Sequence, residues 1–139
     1  MPQIRDMSVP MNKILAKSVL ILLAAAAPVR ASAQDTLAGQ WKNPHGTVVV
    51  RVSPCGDALC GIISWASEHN REKGNTPGTR VLTNLRPVGD GVYKGSAYDP
   101  KHDLNGTAVV RQEGPNVMIV KGCAIFGLMC SEQRWTRVS

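Results

Sequence analysis

The chain has 139 residues, a formal net charge of +6, 43% hydrophobic residues and only six aromatic side chains. This length suits one domain, and no apolar run is long enough to span a bilayer, which excludes an integral membrane protein. Positive and negative charges alternate along the sequence, without a basic run or interleaved aromatic residues, which excludes a nucleic-acid-binding protein.

Residues 1–33 have the pattern of a secretory signal peptide. Lys13 and Lys17 precede an apolar stretch over residues 18–27, and the small residues Ala31 and Ala33 form a cleavage site. The sequence therefore predicts a signal peptide over residues 1–33 and one domain over residues 34–139, located in the periplasm or secreted. The alternative is a buried N-terminal helix. Cleavage would remove four basic residues and one acidic residue, which lowers the net charge from +6 to +3.

Short apolar runs separated by turn residues fill the rest of the chain, and no helical period is sustained. Within residues 47–53, for example, Val48, Val50 and Val52 fall on one face of a strand. We predict an all-β fold, a small antiparallel up-and-down β-barrel of about eight strands, because closure leaves no exposed sheet edge. A β-sandwich is the competing fold. The predicted strands are 37–42, 47–53, 59–67, 80–85, 91–98, 107–112, 117–123 and 131–138.

The longest polar connection lies between the third and fourth predicted strands. Residues 67–78 (SEHNREKGNTPG) are charged and poor in strand-forming residues. We predict a flexible loop, and a solvated connection is favoured over a binding lid.

The four cysteines, Cys55, Cys60, Cys123 and Cys130, all lie after the cleavage site. An even number of cysteines in an exported chain indicates disulfides. Zinc sites use closer C-x2-C pairs than the C-x4-C and C-x6-C spacings present here, so no metal site is predicted. Each pair brackets a turn, which favours the local disulfides Cys55–Cys60 and Cys123–Cys130. The crossed pairing is the alternative.

Two further patterns lie at the ends of the predicted barrel. Gly39-Gln40-Trp41 opens the first strand, while Trp135 and Arg137 lie on the last. This arrangement resembles that of the calycins, the lipocalin-like barrels. The resemblance implies that the tryptophan of the first strand plugs the closed end and that an arginine lies over its ring, a contact worth on the order of 2 kcal/mol when desolvated. It implies a barrel-closing role for Gly39, Trp41, Trp135 and Arg137.

A longer series of motifs covers essentially all of the mature chain. C-G-x-x-L-C-G occurs at residues 55–61, Y-D-P at 98–100, G-C-x6-C at 122–130 and Q-x-W-x-R at 133–137. Together with G-x-W, this series resembles a family of small secreted bacterial proteins that share a domain of unknown function, DUF2147. The resemblance implies an eight-stranded, lipocalin-like barrel exported to the periplasm or beyond, and it implies no particular activity.

Motifs of catalysis and of cofactor binding are absent from the sequence. There is no G-x-S-x-G nucleophile elbow and no phosphate-binding G-x-x-x-x-G-K-[ST]. His45, His69 and His102 fall in predicted loops at wide spacing, so we expect exposed loop histidines. Asp99 and Asp103 do not match the register of a calcium-binding loop. We therefore predict no enzyme activity, no cofactor and no metal.

The barrel itself suggests the function, because the mouth of such a barrel is a natural pocket. We predict a protein that binds a small apolar or amphipathic molecule, with Trp65, Tyr93, Tyr98 and Met118 as lining residues. A barrel this small is also readily filled by its own side chains. In that case the alternative is an envelope module that binds another protein or a cell-wall component through its surface. An esterase-like or isomerase-like enzyme is the third hypothesis.

Overall fold

A computed structural model describes residues 36–139, and the predicted signal peptide over residues 1–33 lies outside the described residues. The described chain forms eight strands and one short helix. In chain order these are β1 (Gly39–Lys42), β2 (Val48–Cys55), β3 (Ala58–Ala66), α1 (Glu68–Glu72), β4 (Arg80–Gly89), β5 (Val92–Asp99), β6 (Leu104–Gln112), β7 (Val117–Ala124) and β8 (Met129–Arg137). No helix of residues 36–139 has the length and apolar character that crossing a membrane requires.

The strands form one closed antiparallel barrel in sequence order. Each strand pairs with the next, and β8 pairs back with β1, where Trp41 lies opposite Arg137 and Lys42 lies opposite Thr136. Every strand therefore has a neighbouring strand on both sides, although β1 and β8 pair at these two positions alone. The predicted eight-stranded up-and-down barrel is confirmed, and the sandwich alternative is wrong.

Antiparallel pairing gives the barrel two distinct ends. The closed end carries residues 36–38 and the β2–β3, β4–β5 and β6–β7 turns, and the open end carries the other four connections. Each end has one disulfide: Cys55–Cys60 joins β2 to β3 at the closed end, and Cys123–Cys130 joins β7 to β8 at the open end. The predicted local pairing is confirmed, and the crossed pairing is wrong.

The core follows the alternation of apolar residues along the strands. In β2, Val50 and Val52 are buried while Arg51 between them is exposed, and in β7 the side chains of Met118 and Val120 are buried. Removing apolar side chains from water in this way is the main source of stability. The largest fully buried side chains are Trp41, Leu37, Ile63, Leu85 and Met118.

The β4 strand extends beyond its predicted range, residues 80–85. In the structure Asn84 adopts a positive φ of 56°, and the β4–β5 register shifts beside it. This irregularity is of the kind that lets a strand bend without ending. The strand therefore continues to Gly89, with Pro87 opposite Tyr93.

The polar connection predicted as a flexible loop contains the helix α1. Ser67 caps this helix, because its side-chain oxygen accepts a hydrogen bond from the backbone N–H of Asn70 at 3.4 Å. The Arg71 guanidinium donates to the carbonyl of Ala66 at 2.6 Å and joins the helix to the end of β3. The prediction missed the helix because its five residues bury no apolar side chain and so lack a hydrophobic period.

Candidate functional site

A cluster around Trp41 fills the closed end of the barrel. The Trp41 side chain is fully buried, and its indole N–H donates to the Leu37 carbonyl at 2.8 Å. The guanidinium carbon of Arg137 lies 4.3 Å from the centroid of the Trp41 ring, within the range of a cation–π contact. Side chains therefore fill the closed end of the barrel, where the Arg137 guanidinium stacks on the Trp41 indole.

Arg137 also ties together the segments that meet at this end. Its three guanidinium nitrogens donate to the carbonyls of Pro115 at 2.6 Å, Ala38 at 2.7 Å and Thr36 at 3.1 Å. Since a guanidinium presents its donors in a fixed planar fork, this one side chain binds both the β6–β7 turn and residues 36–38, which precede β1.

Steric crowding explains why the first residue of the G-x-W motif is a glycine. Gly39 has a positive φ of 138°, and a Cβ at this position would collide with the guanidinium of Arg137. Gly39, Trp41 and Arg137 therefore depend on one another. Trp135, which the resemblance grouped with them, lies elsewhere: its indole donates to Gln133 at 2.8 Å, and it lines the cavity described next.

A cavity of about 720 Å³ occupies the open half of the barrel. Small residues make the space: Ala97 of β5 and Gly122 of β7 both line it, and a Cβ added to Gly122 would lie 3.7 Å from that of Ala97. In the closed half, by contrast, large side chains such as Trp41 and Met118 fill the interior. The interior is thus divided into a solid half and a hollow half. The volume falls within the range of pockets that hold small organic molecules.

The lining of the cavity changes in polarity from the middle of the strands to the loops. Mid-strand positions contribute a mostly apolar wall, and the loops of the open end contribute amides, imidazoles and charges. The apolar wall includes Val50, Ile63, Leu82, Ala97, Val120 and Trp135. The polar rim includes Asn43, His45, Asn75, Asp99, Lys101 and His102. Gln133 adds one polar side chain to the wall, where it holds the Trp135 indole.

The β5–β6 loop gives the rim its fixed polar groups. Asp99 caps this loop: its carboxylate accepts from the Lys101 backbone N–H at 3.0 Å and lies 2.7 Å from the Nδ1 atom of His102. The Tyr98 hydroxyl donates to the Asp103 carboxylate at 3.0 Å. This hydrogen bond to Asp103 raises the pKa of Tyr98 above its usual value of 10.0, with smaller contributions from desolvation and from the charges of Asp103 and Asp99.

The structure brings one of the four predicted lining residues to the cavity. Tyr98 lies at the rim, whereas Met118 and Tyr93 pack in or against the core. Trp65 is 48% exposed and does not line the cavity. It lies opposite Val49, next to an irregularity in the β2–β3 register.

The lining residues that the prediction missed are explained by the face of the strand on which they lie and by their size. The prediction selected large side chains by type, whereas the cavity lies where the inward residues are small. In β7, Met118 fills the closed half, and Val120 and Gly122, two and four residues further on, line the cavity. The alternation of β7 places all three on one face, but their depth depends on pairing with β6 and β8.

Within residues 36–139 there is no group of three or more His, Cys, Asp and Glu side chains that could hold a metal ion. The closest acid–imidazole pair, Asp99 with His102, has both side chains about half exposed on the rim. Such a pair is suited to contact a polar group at the mouth of the cavity.

A family described as uncharacterized protein conserved in bacteria (DUF2147) matches residues 39–137. The match runs from the glycine of the G-x-W motif to the arginine that lies over the indole, so it covers the whole barrel. No match to this chain is found among curated proteins or among solved structures.

Proposed function

We propose that this chain, which belongs to the DUF2147 family of bacterial proteins, binds an amphipathic small molecule in the open half of its barrel. The apolar part of the ligand would lie against Trp135 and Val120, and its polar group would lie among the loops of the rim. The observation that carries this proposal is the division of the interior, which leaves a cavity of about 720 Å³ above a solid closed end.

The polarity of the lining supports an amphipathic ligand over a wholly apolar one. A purely apolar molecule would leave the polar rim without a partner, and a purely polar one would desolvate against the apolar wall at a cost in free energy. The rim carries an acid and bases, Asp99, Lys101 and His102, together with amides. Charged and uncharged head groups therefore both belong in the test.

The filled barrel assumed by the alternative hypothesis does not match the open half, where the cavity lies. We propose a binding function without catalysis, because the hydrogen bonds of Asp99 in the described residues go to the Lys101 backbone and to His102 and serve to order the loop. Export is part of the same proposal: the two disulfides are compatible with an oxidising compartment, and residues 1–33 have the pattern of a signal peptide.

The test is displacement of a fluorescent fatty-acid analogue by alkyl chains that carry a carboxylate, an ammonium or a sugar head group. The decisive variant is Gly122→Leu, because it adds a side chain directly into the cavity at a site where a Cβ makes only ordinary contacts. We expect this variant to fold and to lose at least tenfold in affinity. Ser96→Leu, which adds the same side chain to an exposed site of β5, is the matched control.

Trp135 provides an independent signal, because it lines the cavity while Trp41 is buried in the closed end. Ligand binding should change the fluorescence of the wild type, and Trp135→Phe should remove most of that change while binding persists. Equal affinity in the wild type and in Gly122→Leu would refute the proposed site, and the absence of binding by every amphiphile would refute the function.

A further inference from the structure

The hairpin between β7 and β8 ends in an exposed apolar tip at the open end. We define the apolar tip as Ile125, Phe126, Leu128 and Met129, whose exposed fractions are 49%, 103%, 80% and 54%. Phe126 is the one phenylalanine of the chain, and it is wholly in water. A side chain of this kind is ordinarily buried, so its placement at a tip requires an explanation.

The backbone of the tip is held in an uncommon conformation. Ile125 and Phe126 both have a positive φ of 54°, which is rare for a β-branched or aromatic residue. The Leu128 N–H donates to the Ile125 carbonyl at 3.0 Å, and Cys123–Cys130 crosslinks the strands immediately below. Phe126 and Gly127 are the two central residues of this turn, and both have a positive φ. Two-residue hairpin turns with a positive φ at both positions favour Asn-Gly. Apolar residues therefore occupy positions where polar turn residues would be less strained, as is typical of functional segments.

The tips of the closed-end hairpins, unlike the apolar tip, consist of glycine, aspartate and proline. Gly56-Asp57, Asp90-Gly91 and Gly114-Pro115 lie at the tips of the three closed-end hairpins. The Cys55–Cys60 hairpin is the nearest counterpart, because it is also crosslinked beneath its turn, and its tip is polar. An apolar tip is therefore no requirement of a disulfide-crosslinked hairpin in this fold.

We propose that the apolar tip inserts into the surface of a lipid bilayer. If a fully exposed large side chain presents about 200 Å², the four exposures correspond to about 600 Å² of apolar surface. A stable protein–protein interface buries about 800 Å² on each partner over a broad patch, which is more than this narrow tip presents. A protruding apolar tip fits a fluid apolar medium, as amphipathic segments do when they bind at membrane interfaces.

The charges of the open end indicate how the bilayer is bound. Its four connections together carry as many acidic as basic residues, and none of these lies between Ala124 and Met129. The acidic residues are Glu68, Glu72 and Asp103, and the basic residues are Arg71, Lys73 and Lys101. The open end therefore has no cluster of cations for anionic lipids, so apolar insertion must supply the affinity. Binding should extend to vesicles of uncharged net composition and should depend little on salt.

The position of the tip relates it to the cavity. Ala124 and Met129, at the base of the turn, line the cavity, while Phe126 lies further out. Insertion of the tip would place the mouth of the barrel at the lipid surface. Phe126 and Leu128 do not line the cavity, and vesicle binding is measured without ligand, so this proposal stands or falls separately from the proposed function.

The experiment is co-sedimentation of the disulfide-bonded protein, with its N terminus verified by mass spectrometry, with phosphatidylcholine vesicles at 50 and 500 mM salt. The test variant is Phe126→Asn with Leu128→Ser, in which Asn suits the positive φ and preserves the turn. Val88→Ser with Val138→Ser is the matched control, because both valines are exposed outside the apolar tip. We expect the test variant to lose at least tenfold in vesicle affinity and the control to retain it.

Three outcomes would overturn the proposal. The wild type fails to sediment with vesicles, or the test variant sediments as the wild type does, or binding requires anionic lipid and disappears at high salt. Analytical ultracentrifugation in vesicle-free buffer decides whether the tip binds a second copy of the chain instead. A monomer supports the bilayer as the partner, whereas a dimer that dissociates in the test variant would show that a second copy of the chain covers the tip.

Discussion

Replacement of Arg137 by alanine should destabilise the barrel strongly, because this side chain joins the closed end. The substitution removes the stack on Trp41 at 4.3 Å and three hydrogen bonds to backbone carbonyls. The bond to Ala38 is partly buried, and its loss leaves a carbonyl without a partner. The bonds to Pro115 and Thr36 are exposed, so water replaces most of what they contribute.

The magnitude follows from these four interactions. A partly buried charged hydrogen bond contributes about 1.5 kcal/mol, the two exposed bonds together about 0.5 kcal/mol and the cation–π contact about 1 kcal/mol. The expected loss is therefore about 3 kcal/mol, a large share of the stability of a domain of this size. On this scale the melting temperature should fall by roughly 10–20 °C. Arg137→Lys keeps the charge but not the planar fork, so it should restore less than half of the loss.

The assay is urea denaturation followed by tryptophan fluorescence, with both disulfides intact. Arg134→Ala is the matched control: Arg134 lies three positions earlier on β8, and its exposed guanidinium is 3.6 Å from Glu113. Exposed ion pairs of this kind are worth less than about 1 kcal/mol. If Arg137→Ala and Arg134→Ala lowered the free energy of unfolding by the same amount, the closed-end cluster would not have the role assigned to it.

Two further predictions concern the open end. Cys123→Ser should lower the free energy of unfolding by about 2 kcal/mol, because the disulfide closes a short loop in the unfolded chain. Peptide mass mapping should find Cys55–Cys60 still oxidised, and a crossed peptide would contradict the pairing. Asp103→Asn should lower the pKa of Tyr98 toward 10.0, because the hydrogen bond to that carboxylate is the main cause of its rise. Ultraviolet titration measures this against the chain's other tyrosine, and unchanged curves would refute the cause.

The strands of the barrel could be predicted from the sequence because local signals agreed with the fold. Val48, Val50 and Val52 alternate with polar or outward residues, and turn formers separate the runs. The two disulfides could be predicted for the same reason, since each pair brackets a turn in one hairpin. The contact between Arg137 and Trp41 joins the first strand of the barrel to the last, and a resemblance in motif, not a local pattern, implies it.

The cavity could not be predicted, because it depends on the level at which small residues meet across different strands. Ala97 and Gly122 are far apart in sequence, and only the pairing of β5, β6 and β7 places them at one depth. The lining residues could not be predicted for the same reason, because strand pairing decides which side chains face the cavity. Trp65 is large and aromatic, yet it lies on an exposed site next to a register irregularity. For the apolar tip the sequence predicts a turn and nothing more, because a positive φ at Ile125 and Phe126 is a conformation that these residue types disfavour.

The central claim is that the hollow half of the barrel receives the apolar part of a ligand. A crystal structure of the protein with an amphiphile brominated at its chain end tests this most directly. The account predicts anomalous bromine density inside the cavity, in contact with Trp135 and Val120, and a head group at the rim. Bromine density confined to the outer surface, with the cavity free of amphiphile at saturating concentration, would contradict it.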